Sequence, residues 1–165
     1  MSRFDIDLTE VSTERMICPQ GTYPARIAKA AVRSGTKDDR NWAMLNLTFA
    51  LKDEEVSKVL GMDEPKVFYT VSLSFDKETE KLSPNNPDLG NLLEVVGLKN
   101  KGDIFKEGTE EATSQWDYNM IYFKNVADAL SGYDLLCNVV HRKAYNDPDR
   151  MEAVVNKVRS EEHTS

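Results

Sequence analysis

Apolar and polar residues alternate with a period of two along several stretches, which places one strand face against a core and the other toward water. The first stretch opens at Gly21, where Tyr23, Ala25 and Ile27 alternate with Thr22, Pro24 and Arg26. Pro24 cannot donate to a ladder, so an edge or bulged position early in this strand is expected. A polar turn over 34–40 leads to residues 41–51. There Leu45, Leu47, Phe49 and Leu51 share one face, and Trp42, Met44, Asn46 and Thr48 share the other. The pair predicts a long hairpin. After a charged connection and Pro65, a third strand is expected over 67–75. Its apolar side carries Val67, Tyr69, Val71, Leu73 and Phe75, and its other side Phe68, Thr70, Ser72 and Ser74.

The period then changes. Asn86-Pro87-Asp88 reads as a helix start, with Asn86 capping, Pro at the first helical position and Asp near the positive end of the dipole. Leu89, Leu92, Leu93 and Val96 are spaced for one helical face, and Gly97 is placed to end it. Helical spacing returns over 113–130 (Trp116, Met120, Phe123, Ala127, Leu130), with a break expected near Asn125 and a stop at Gly132. Two further strands are predicted over 134–142 and 151–159, joined by Tyr145-Asn146-Asp147-Pro148-Asp149, which is dense in turn formers.

Five strands with helical material between the third and fourth give a mostly β chain in the order of an OB-like five-stranded barrel, with a β-sandwich bearing a helical insert as the alternative. Residues 1–18 read as an N-terminal arm, 19–160 as one OB-like domain, and 161–165 as a short polar tail. At 165 residues the length suits a single domain. The 40% apolar and 30% charged composition argues against disordered or fibrous chains. No apolar run reaches the roughly 18–20 residues of a bilayer span, and the acidic N-terminus lacks a signal peptide's apolar stretch. A cytoplasmic location with no membrane partner is expected. Cys18 and Cys137 form no C-x-x-C pair and read as reduced, partly buried thiols.

The net charge of −7 counts against a simple electrostatic clamp on nucleic acid. Its distribution changes the picture. Residues 26–40 hold five bases against two acids, and 142–159 five bases against three, whereas 103–134 hold seven acids against two bases.

Motifs for chemistry are scarce. The chain has no phosphate loop, dinucleotide fingerprint or nucleophile elbow, and no recognisable zinc-ligand spacing. His163 lies in the tail. Cys137 and His141, four apart on a predicted strand, would stand some 13 Å apart at ~3.3 Å per residue. A non-enzymatic protein without metal or cofactor is expected.

What remains is cations beside flat rings, the combination that holds single strands by phosphate tracking and base stacking. Trp42 and Phe68 are expected on the non-core faces of the second and third strands, and Arg26 and Arg142 likewise on the first and fourth. Lys29, Arg33, Lys37 and Arg40 line the first hairpin's outer half, while Lys143, Tyr145 and Arg150 occupy the last turn. Tyr69 and Phe75 read as core. In an OB barrel these groups would converge on one groove flanked by the two hairpin loops.

The strand Gly21-x-Tyr23-x-Ala25-x-Ile27, the polar turn and Trp42-Ala43-Met44-Leu45-Asn46-Leu47-Thr48-Phe49 resemble the small phage-encoded single-stranded DNA-binding proteins with an OB-like fold. The likeness continues in Val95-Val96-Gly97, in Ala129-Leu130-Ser131-Gly132 before strand 135–142, and in Asn156-Lys157-Val158. It implies a protein that coats single-stranded DNA in phage replication and recombination without strong sequence preference, in the host cytoplasm. Partners would be single-stranded DNA and replication or recombination proteins, and a homodimer is compatible with it. Many such proteins recruit partners through a very acidic C-terminal tail; here that tail is only Glu161-Glu162-His163-Thr164-Ser165. Two other classes fit the residues: an acidic protein-interaction module (a DNA mimic or an adaptor to a host protein), and a metal-dependent nuclease.

Overall fold

The computed structural model describes residues 4–10 and 16–161; the rest of the arm and the tail beyond Glu161, His163 included, lie outside the described residues. Alternation becomes five strands: β1 (Gly21–Lys37), β2 (Arg40–Leu51), β3 (Lys66–Leu73), β4 (Asp134–Ala144) and β5 (Asp147–Arg159). They form one closed sheet in the order β1-β2-β3-β5-β4. Neighbours are antiparallel except β3 and β5, which meet in parallel at Phe68 and Val154.

Closure depends on the length of β1. Its residues Gly21–Arg26 pair with β4, and Ala25–Lys37 pair with β2. Just past the end of the β4 pairing, the ladder with β2 shifts register, from Ile27 opposite Phe49 to Lys29 opposite Thr48. The shift bends the strand. Ile27 keeps its main-chain bonds by turning to the loop before β4: its N–H donates to the Tyr133 carbonyl and its carbonyl accepts from Gly132, both at 2.8 Å.

The predicted inner faces form the core. Ile27, Leu45, Leu47, Phe49, Leu51, Val71, Leu135, Val139 and Val158 are fully buried, and Tyr69 is buried beside Phe49 with ring centroids 6.0 Å apart. Cys18, before β1, also enters this core, and its carbonyl accepts from His141 Nε2 at 2.7 Å. Burying apolar area at roughly 25 cal/mol per Å² is what closes the sheet.

Three helical segments and one strand end differ from expectation. The charged connection after β2 contains a helix, α1 (Glu54–Leu60). Asp53 caps it by accepting from Val56 N at 3.0 Å, and Gly61 ends it in the left-handed region at φ 66°. Val56 alone is buried there, so no apolar period announces it. Secondly, β3 stops at Leu73, and Phe75 instead joins an isolated bridge to Leu82 and packs edge-on against Trp116 at 4.9 Å. Thirdly, Asn86 precedes α2 (Pro87–Val95) but its side chain does not cap it. The carboxamide pins the end of β3, accepting from Ser74 N at 2.8 Å and donating to the Ser74 carbonyl. Fourthly, α3 (Gln115–Leu130) runs through Asn125 without a break. Asn125 Nδ2 donates outward to the Phe105 and Glu107 carbonyls, so it does not compete with its own helix.

The expected stop at Gly97 is present as a complete pair of C-terminal bonds: Gly97 N donates to the Glu94 carbonyl and Leu98 N to that of Leu93. Helix α3 packs against β1, and α2 against β3 and β5. Among the described residues no helix is long and apolar enough to cross a membrane.

Candidate nucleic-acid interface

Side chains opposite one another on neighbouring strands share a face, so the register alone lays out the outside of the sheet. One line of residues crosses all five strands: Lys29 on β1, Thr48 on β2, Phe68 on β3, Val154 on β5 and Val140 on β4. Phe68 stands at its middle, 59% exposed, a large ring presented to solvent. Val140 and Val154 are half-buried beside it.

One step toward α1, Arg26 lies opposite Ala50, which lies opposite Lys66. Lys66 is exposed and two residues before Phe68, so it shares the ring's face. It was not among the residues expected from the sequence, although the alternation that singled out Phe68 also carries it. Glu152 and Arg142, paired across β5 and β4, lie on this same side of the ring. In the other direction Asn46 faces Thr70, whose hydroxyl donates to Asn46 Oδ1 at 3.3 Å, and then Arg33 faces Met44.

The cations of the β strands and the last turn, Lys66 included, divide into two kinds. Arg26 is engaged by Glu64 at 3.2 Å, and Arg142 Nε donates to Glu152 at 2.8 Å. Lys29, Arg33, Lys66, Lys143 and Arg150 are exposed and carry no ion pair among the described residues. Lys143 and Arg150 flank the β4–β5 turn, whose Tyr145 is fully exposed.

The expected rings are not brought together. Trp42 does project from the outer side of β2, but six residues beyond Thr48, about 20 Å from the Phe68 line at ~3.3 Å per residue. Tyr145 lies in the turn just beyond the end of β4, five residues past Val140 and up to roughly 16 Å away on the same scale. Lys37 and Arg40 pair with each other across the β1–β2 turn, enclosing Asp38 and Asp39. Both aspartates hold left-handed φ angles, 53° and 62°, as a tight two-residue hairpin turn demands.

Gly35 sits opposite Trp42, and the indole rests on it: a β-carbon there would meet indole Cζ2 at 2.6 Å and Nε1 at 2.9 Å. A side chain at this position would displace the indole. Gly35→Val is expected to swing the indole off its seat, giving a red-shifted and more quenchable emission in a Trp116→Phe background, where Trp42 is the sole reporter. An unchanged spectrum would show that the indole does not depend on Gly35.

His141 and Cys137 share no site. Cys137 is buried in the core, whereas His141 binds the Cys18 carbonyl and its main-chain N donates to Gln20 Oε1 at 2.9 Å. No family model matches the chain, and no curated protein matches it.

Proposed function

We propose that the chain is an OB-type, phage-like single-stranded DNA-binding protein, non-enzymatic, which coats strands during replication and recombination with little regard to sequence. The observation that carries the reading is Phe68: an exposed ring central on the outer sheet face, with Lys29 in line and Lys66 and Arg33 on the same face, none of these three in an ion pair among the described residues. A ring without hydrogen-bonding groups accepts the face of any base, and unpaired lysines and arginines follow a phosphate chain without reading it. The strand order β1-β2-β3-β5-β4 supports the same reading, because in OB barrels the ligand lies across strands two and three. The path runs over Phe68 and between the two long hairpins.

A salt titration of oligo-dT binding tests this. Affinity is expected to fall with salt at a slope of about −0.7 per neutralised phosphate in log–log form. Lys29→Gln and Lys66→Gln are each expected to reduce that slope by about 0.7. Absence of binding at low salt overturns the reading. Cleavage of the oligonucleotide on adding Mg²⁺ or Mn²⁺ would replace it with the nuclease reading.

A further inference from the structure

Between the tip of the β1–β2 hairpin and the loop after β3 lies a cavity of about 980 Å³, walled by Trp42, Met44, Ser74 and Phe75. Its two sides are tied by Asn41 Nδ2, which donates to Glu80 Oε2 at 2.9 Å. Charged groups ring the opening. Asp38, Asp39, Asp76, Glu78 and Glu80 supply carboxylates, against cations from Lys37, Arg40 and Lys77. Some are committed: Glu80 holds Asn41, and Asp76 accepts from the main-chain N–H groups of Glu78 and Thr79. Asp38, Asp39 and Glu78 form no ion pair among the described residues, although three cations line the same opening.

A nucleotide would bring a phosphate into an excess of carboxylates, which Coulomb repulsion opposes. A cation meets the opposite field. One that is also flat can lie on an indole, the best cation–π partner among side chains, while forking onto a carboxylate. We infer that this cavity receives an arginine side chain from a basic segment of a partner protein, stacked on Trp42 and paired with Asp39 or Glu78. The surface is separate from the Phe68 line and the inference stands without the nucleic-acid reading. If both hold, the protein carries single strand and a basic partner at the same time, on different parts of one sheet.

The test uses the full chain and a fluorescein-labelled (Gly-Arg)4 peptide, followed by anisotropy at low salt. The double variant Asp39→Asn with Glu78→Gln is expected to weaken binding about fivefold, and Trp42→Leu at least about threefold. Glu110→Gln with Glu111→Gln removes the same two charges from an exposed turn outside the cavity, and should change affinity less than about twofold. Equal losses from the two double variants would mean that the peptide senses only net charge and would overturn the inference. So would unchanged binding in the cavity variants, or an indole quenched by oligo-dT but indifferent to the peptide, which assigns the cavity to a base instead.

Discussion

Phe68→Ala is expected to weaken oligo-dT binding by roughly 5- to 150-fold, the range that one base–ring stack of about 1–3 kcal/mol supplies. The folded state should not suffer, because the ring is 59% exposed and fills no part of the core. Anisotropy titrations together with a thermal melt by circular dichroism separate the two effects. Salt separates them further. The ring carries no charge, so its loss should lower affinity by the same factor at every salt concentration, leaving the log–log slope intact. Lys29→Gln and Lys66→Gln should do the reverse, changing the slope. A Phe68→Ala protein that binds oligo-dT as tightly as the parent would remove the main support for the proposed path, since no other ring lies on the line Lys29–Thr48–Phe68–Val154–Val140.

That line shows what sequence can and cannot reveal. The face of each residue was legible, because strand periodicity is local: Leu45, Leu47 and Phe49 inward, Thr48 and Phe68 outward. The neighbours across the sheet were not. The parallel contact of Phe68 with Val154 joins segments separated by α2, α3 and the whole of β4, and nothing near either residue encodes it. Cation strength was hidden for the same reason. Arg26 and Arg142 look like Lys29 in the sequence, yet Glu64 and Glu152 occupy them once the chain closes. Helix α1 escaped notice because a single buried valine makes no period, and Asn86 misled because an Asn before Pro-Asp fits a cap whether or not its side chain turns elsewhere. The cavity beside Trp42 is lined by segments distant in sequence, joined by a bond between Asn41 and Glu80, and so belongs to tertiary structure.

Alkaline pH is expected to destabilise the fold through thiols and a phenol buried in its core. Cys137 points from β4 into the core, and burial pushes its thiol from the ordinary 9.0 up to about 12, with Cys18 nearby acting in the same direction. Burial likewise raises Cys18, and pushes the Tyr69 hydroxyl from 10.0 up to about 12, with Asp88 adding to the shift. The folded protein therefore keeps these protons at pH values where the unfolded chain gives them up. Their contribution is fully present below about pH 9 and is lost as pH rises toward 12. By pH 11 Cys137 alone should account for roughly 2–3 kcal/mol, a large part of a stability that for most domains is about 5–15 kcal/mol. Urea midpoints at pH 8, 10 and 11, measured with reductant present, read this directly. Cys137→Ala should begin lower at pH 8, because it leaves a void, yet fall less steeply as pH rises. If its midpoint falls as steeply as the parent's, the Cys137 thiol is not the group being titrated, and the alkaline loss comes from the other buried groups, Cys18 and Tyr69.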